Sequence, residues 1–397
     1  MNQTWIAVIL CVVALVVTAV VYPFVLRFAV KHNFVDNPNA RKLQRVPVPV
    51  LGGSAVFIGF AVALSITIMV FHLRYMGVAL VATGLMWLLG TWDDMKDIPP
   101  NLRFLFEIAV LWGMISIGET CVDDFHGMWG VNQISLYVAV PLSIFTGVGI
   151  MNATNMIDGV DGYCSGFGIL SSLWFFIAFF IAGDIEMASF ALICVGALLP
   201  FFMHNVFGKR TKMFLGDGGS LMIGMLMTIF VFRLMSKNTP FERFASEDGM
   251  GIAAFVLAVM CIPVADTLRV MTARILKGGS PFAPDKTHLH HLFIDMGFTH
   301  VGTSLCLLTL DVFIMCIWFL SWKLGASYDL QLYVVIAMGL LVSNGFYHFM
   351  RFQQQKNNGE GSPIYKWFCK MGALTHIERG GLWRMLNRLV DGKAKEE

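Results

Sequence analysis

The sequence predicts an all-α, polytopic integral membrane protein of ten to eleven transmembrane helices, with its N-terminus outside and its C-terminus in the cytoplasm. Three observations point there. Apolar residues make up 57% of the 397 and charged residues 14%, and the mean hydropathy is +0.69, far beyond a soluble globular domain. Apolar runs of about 17–22 residues recur, the length that crosses a hydrocarbon core. Lys and Arg gather on one side of those runs.

In chain order the expected spans are 5–27, 51–71, 76–92, 103–120, 134–152, 165–182, 186–204, 218–236, 250–268, 302–322 and 330–349. The first charged residue is Arg27, so the opening run lacks a basic leader and reads as a span rather than a cleaved signal. The sixth and seventh spans are joined only by Gly183-Asp184-Ile185-Glu186. Alternate loops, with the tail from 350, hold 22 of the 28 basic residues, which places those loops inside. The division expected is a catalytic membrane domain over 1–350 and a basic amphipathic cytoplasmic tail over 351–397. That tail carries Lys366, Lys370, Arg379, Arg384 and Arg388 among Trp367, Phe368 and Trp383, is broken at Gly380-Gly381, and is expected to be dispensable for chemistry. The eight cysteines stand singly with no Cys-x-x-Cys and read as small core residues. A net charge of +2 implies no nucleic-acid partner.

The polar clusters all fall on the inner side. Gly90-Thr91-Trp92-Asp93-Asp94-Met95-Lys96-Asp97 closes the third span, and on a helix Asp97 shares a face with Asp93 and Asp94. Such acids either share a cation or proton or form a solvated cap. Asn155-x-x-Asp158-Gly-x-Asp161-Gly offers oxygen ligands on a backbone that glycine lets turn tightly; it lacks the downstream Glu of a calcium loop. Gly216-Asp217-Gly218-Gly219-Ser220 opens a span. Bare amides at a helix start suit a phosphate and a carboxylate beside them suits Mg²⁺, although a capping Asp in a glycine hinge has the same pattern. His288, His290 and His291 lack zinc-ligand spacing and fit phosphate contact or proton handling, in a loop with Lys277 and Lys286. Arg41, Lys42 and Arg45 serve as a topology signal, a contact for an anionic lipid head, or both. Asp266 and Asp311 lie in spans and should face the bundle interior. Outer-loop acids such as Asp123 and Asp124 read as plain connectors.

Trp92-Asp93-Asp94, Asn152-x-x-Asn155-x-x-Asp158-Gly-x-Asp161-Gly, Phe214-x-Gly-Asp217-x-Gly-Ser220 and His288-x-His290-His291 occur in the order found in the polyprenyl-phosphate N-acetylhexosamine-1-phosphate transferases, a glycosyltransferase family that the chain resembles over roughly residues 5–350. Ser280-Pro281-Phe282-x-Pro284-Asp285 before the histidines is similar to the branch that transfers N-acetylglucosamine 1-phosphate; the peptidoglycan-precursor branch typically has three consecutive histidines there.

The resemblance implies a bacterial inner-membrane enzyme in which undecaprenyl phosphate attacks the sugar-bearing phosphate of a UDP-N-acetylhexosamine and releases UMP. It implies Asp93, Asp94, His290 and His291 as catalytic residues. Asn152, Asn155, Asp158, Asp161, Arg45, Arg103, Lys286 and His288 would bind substrate, and Asp217 with Asn155 would hold Mg²⁺, or Mn²⁺ in its place. Membrane lipids, and a second copy in a homodimer, are the other partners expected. Asp93 stays open as base, nucleophile or orienter of the lipid phosphate. The alternatives are another donor such as UDP-MurNAc-pentapeptide or, from other classes, a transporter or cation channel; both of the latter fit poorly with motifs gathered at one membrane edge and with no internal repeat.

Overall fold

The structure, a computed structural model, describes residues 3–36, 47–71, 74–282, 286–357, 359–376 and 380–392. Each of the eleven expected spans overlaps a helical segment. These are α1 (Gln3–Lys31), α2 (Gly52–Phe71), α3 (Arg74–Lys96), α4 (Pro100–Gly118), α5 (Leu136–Met156), α6 (Tyr163–Ile181), α7 (Ile185–Phe207) and α8 (Gly216–Leu234). A short α9 (Phe241–Asp248) precedes the pair α10 (Ile252–Val259) and α11 (Cys261–Leu276). Beyond α12 (Leu289–Asp295) come α13 (His300–Lys323) and α14 (Tyr328–Leu340), the latter running through a π turn into α15 (Tyr347–Gln355). Among the described residues ten helices are long and apolar enough to cross a membrane, and eleven if the bent pair is one span.

The ninth span departs from a straight helix. It breaks between α10 and α11 with a bend of 73°. Pro263 supplies the reason: it has no N–H for the carbonyl four residues back, Val259, which is the last residue of α10. The tight link between α6 and α7 turns at Gly183, whose φ of +74° suits glycine.

At the centre stands α8, buried along nearly its whole length. Its start is held by backbone. The chain at 35–36 pairs antiparallel with 48–49, Phe214 N–H donates to Pro49 O at 2.8 Å, and Gly52 and Gly53 donate to Phe214 O and Leu215 O at 2.9 Å each. Two glycines let α2 and α3 approach closely: a Cβ on Gly53 would strike the backbone of Gly219, and one on Gly90 the backbone of Asp217 and Gly218. Neither wall can yield by a side-chain rotation. Gly90→Ala is therefore expected to destabilise the protein by roughly 1–3 kcal/mol, seen as a lower melting temperature in detergent; an unchanged melting temperature would contradict this crossing.

Asp311 is 3% exposed and Asp266 2%, both inside the bundle as expected. The tail forms α16 (Pro363–Leu374) and α17 (Gly381–Asp391), on either side of the expected glycine break. It is docked rather than merely laid on a surface. Asp391 accepts from the amides of Lys209, Arg210 and Thr211 at 2.8, 3.2 and 3.2 Å and from the Thr211 hydroxyl at 2.7 Å.

Candidate active site

Gly216, at φ +76°, turns the chain into α8, and Asp217 stands in the first turn. From the end of α3, Asp94 accepts the amides of Asp217 and Gly218 at 3.0 and 3.2 Å. A carboxylate at a helix N-terminus satisfies orphan donors and meets the positive end of the dipole. This corrects one expectation: those two amides are held by Asp94 instead of lying bare for a phosphate. Asn155, at the end of α5, donates to Asp217 Oδ1 at 2.7 Å and to Ser220 Oγ at 2.9 Å. Asp217 Oδ2 has no hydrogen-bond partner among the described residues. Asp94, Asp158, Asp161 and Asp217 line one cavity of about 670 Å³, with Asp36, His32 and His300 on its rim.

Behind it lies a second cavity of about 380 Å³ that shares Asp158 and Gly159. Its walls carry Asp93, Arg103, Asn152, Asn155, Arg274, His288, His290 and His291. Thus Asp93 and Asp94, adjacent in sequence, face different chambers. Asp93 accepts Ile98 N–H at 2.7 Å and pairs with Arg103 at 3.2 Å. Arg103 continues to Glu107 at 3.1 Å, and Glu107 accepts from Asn152 at 2.8 Å. Asp97 is beyond the helix end, at φ +45°, and does not share the expected face with the other two.

The histidine segment is anchored from α11. Buried Asp266 accepts from Arg269 at 2.6 Å, pairs with His288 at 2.9 Å and receives Leu289 N–H at 3.2 Å. His290 packs against Gly159, where any Cβ would strike its imidazole. Burial first, then the neighbouring His291 and His288, hold the His290 pKa well below the usual range, so it is neutral at pH 7. Asp158 is pushed upward by its surroundings and by Asp217, Asp94 and Asp161, while keeping contact with solvent in the cavity, which moderates the shift. For Asp161 burial also raises the pKa, but a hydrogen bond from His300 and the charge of Lys212 outweigh it and the carboxyl sits below its ordinary value. Lys212 lies 2.6 Å away and His300 3.1 Å.

Of the thirteen residues that the resemblance implies for the site, eleven therefore line two adjoining chambers. Lys286 is exposed and lines neither; Arg45, with Arg41 and Lys42, lies outside the described residues. Sequence reading missed Glu107, Lys212, Arg274 and His300. A carboxylate inside an apolar span was a usable signal for Glu107. The pairing of Asp161 with positions 212 and 300 left no local trace.

A chamber of carboxylates against one of Arg and His, at one edge of a helical membrane bundle, has the composition of an enzyme site for phosphorylated substrates. A family model described as glycosyl transferase family 4 matches residues 75–235, taking in every acidic motif but not the histidines. The chain is thus similar to that family over part of its length, and it is a multi-pass membrane protein consistent with a bacterial inner membrane. It is 29% identical over 280 residues to the undecaprenyl-phosphate alpha-N-acetylglucosaminyl 1-phosphate transferase of Escherichia coli K12, covering 70% of this chain and 73% of the relative. It is 28% identical over 280 residues to the same-named protein of Yersinia pestis, covering 69% and 73%. A probable undecaprenyl-phosphate N-acetylglucosaminyl 1-phosphate transferase of Bacillus subtilis is 27% identical over 290 residues, covering 73% and 77%.

Proposed function

We propose that this protein transfers N-acetylglucosamine 1-phosphate from UDP-N-acetylglucosamine to undecaprenyl phosphate and so initiates a cell-surface glycan. A lipid phosphate oxygen bonds to the sugar-bearing phosphorus, the bond from that phosphorus to the bridging oxygen breaks, and the oxygen leaves on UMP. The observation that carries the reading is the convergence of Asp94, Asp158 and Asp217 in one chamber with Arg103, Arg274 and three histidines in the next. Residues 1–350 form the catalytic unit and 351–397 the tail; the N-terminus is outside and the site cytoplasmic, because basic residues gather in the loops on its side.

A divalent cation fits the donor set, which is all oxygen and includes Asp217 Oδ2, unpartnered among the described residues. Asp217 would hold Mg²⁺, with the carboxylates of Asp94 and Asp158 beside it; when bound, the ion neutralises diphosphate charge. Asn155 orients Asp217 through its amide. The second pKa of a phosphate monoester is about 6, so the lipid phosphate is largely dianionic at neutral pH and gains little from a base. Both oxygens of Asp93 are engaged, by Ile98 and Arg103, which supports an orienting role over that of base or nucleophile. Asp161 acts through Lys212 and His300, to which its carboxylate is bound. Neutral His290, with His288 and His291, faces the phosphate in the second chamber.

Asp93→Asn is expected to raise the KM for undecaprenyl phosphate roughly tenfold, about 1.4 kcal/mol, with no recovery at high Mg²⁺. Equal metal rescue of this variant and of one at Asp217 would sink the division of roles. The function itself is tested by UMP release from a panel of UDP-sugars with undecaprenyl phosphate. UDP-N-acetylglucosamine should be the preferred donor; preference for UDP-MurNAc-pentapeptide would refute the sugar, and no UMP from any donor would refute the reaction.

A further inference from the structure

At the other end of α8, 19 residues and so about 28 Å from the start of the helix, a second cluster of ligating atoms gathers. It comprises Asp124 and His126 from the loop after α4 and Glu242 from the first turn of α9; one ligand atom from each lies within 4.8 Å of the others. Reading Asp124 as a plain connector missed this, because the three residues meet only through folding.

The chemistry of His126 makes the cluster more than a group of acids. Its Nε2 lies 3.1 Å from the carbonyl oxygen of Leu234, the last residue of α8. A carbonyl only accepts, so Nε2 carries a proton and Nδ1 is the nitrogen through which the neutral ring can ligate. That Nδ1 is buried without a hydrogen-bond partner, on a side chain 4% exposed. It points at two carboxylates, 3.6 Å from Asp124 Oδ1 and 4.0 Å from Glu242 Oε1. A lone pair facing two negative charges is repulsive unless a cation or a second proton lies among them, and at 3.6 and 4.0 Å neither carboxylate is within hydrogen-bond reach of such a proton. Among the described residues no Lys or Arg is paired with either carboxylate; nearby Lys237 pairs with Asp123 at 3.8 Å and Arg243 with Glu247 at 3.1 Å. The negative end of α8 adds to the attraction for a cation. Asp124 is itself fixed, since its Oδ1 accepts His126 N–H at 2.7 Å.

We infer that Asp124, His126 and Glu242 bind a zinc ion on the membrane face opposite Asp217. One imidazole and two carboxylates suit Zn²⁺, with solvent reaching the fourth position past Glu242, whose side chain is 50% exposed. The imidazole nitrogen discriminates against Mg²⁺, which prefers oxygen alone.

The test uses the full chain in detergent, stripped with chelator, re-supplied with Zn²⁺ and passed over a desalting column before elemental analysis. One equivalent of zinc should be retained in the presence of excess Mg²⁺. His126→Asn keeps a residue that tolerates φ +50°, and Glu242→Gln alters a half-exposed side chain; each should weaken zinc binding roughly 10- to 100-fold. UMP release at saturating Mg²⁺ should be unchanged in both. Failure to retain zinc overturns the inference, as does displacement by Mg²⁺. Retention that survives both substitutions but is lost in Asp217→Asn would place the zinc at the other end of α8 and equally overturn it.

Discussion

Asp217→Asn should lower the rate of transfer at least ~100-fold, about 2.7 kcal/mol at the transition state, while membrane insertion and melting temperature stay unchanged. The fold tolerates the change because the backbone amide at 217, which donates to Asp94, is untouched, and the donor to Oδ1 is the uncharged amide of Asn155. An asparagine oxygen can accept from Asn155 equally well. What it does not supply is the negative charge on which Mg²⁺ affinity depends. Part of the activity should therefore return at high Mg²⁺ or Mn²⁺. Full activity of the variant at ordinary Mg²⁺ would remove Asp217 as a metal ligand.

Asp266→Ala should act on the fold instead. Arg269 is 6% exposed, and among the described residues losing Asp266 leaves its guanidinium the Thr287 carbonyl at 2.6 Å and the Tyr347 ring at 3.9 Å. An unpaired buried charge costs about 3–5 kcal/mol. The change also releases His288 and the Leu289 amide, so the histidine segment keeps its tie to α11 through Arg269 and Thr287 but loses those made by Asp266. Thermal melting and protease sensitivity would report both effects. Asp266→Ala with Arg269→Met should recover part of the stability, since no charge is then left buried. A single variant that melts with the wild type would show that Asp266 bears little of this anchoring.

The membrane architecture was legible because a span is a length of apolar residues, read locally and needing no partner. The break at residue 260, inside the span expected over 250–268, was not read: Pro263 sits where it removes the bond to Val259, and a count of hydropathy alone passes over it. The acidic and histidine motifs stood out because polar groups are rare in such a chain. Their partners did not. Lys212 and His300 reach Asp161 across 51 and 139 positions, distances only the folded bundle closes. Sequence also paired Asp93 with Asp94, whereas a helix turns neighbouring side chains by about 100°, which sends one to Arg103 and the other to the start of α8.

The contact between Asp391 and the 209–211 backbone bears on how the protein is handled in the laboratory. Thr211 carries three of the contacts at this junction, since its carbonyl accepts from Tyr22 at 2.8 Å and its amide and hydroxyl both reach Asp391. The next residue, Lys212, holds Asp161 in the carboxylate chamber. A purification handle or fluorescent reporter attached close behind Asp391 is expected to disturb that junction, and with it the donor affinity measured on such a fusion. Attachment ahead of α1 avoids the junction, and comparing the two fusions by UMP release separates an artefact of tagging from a property of the enzyme.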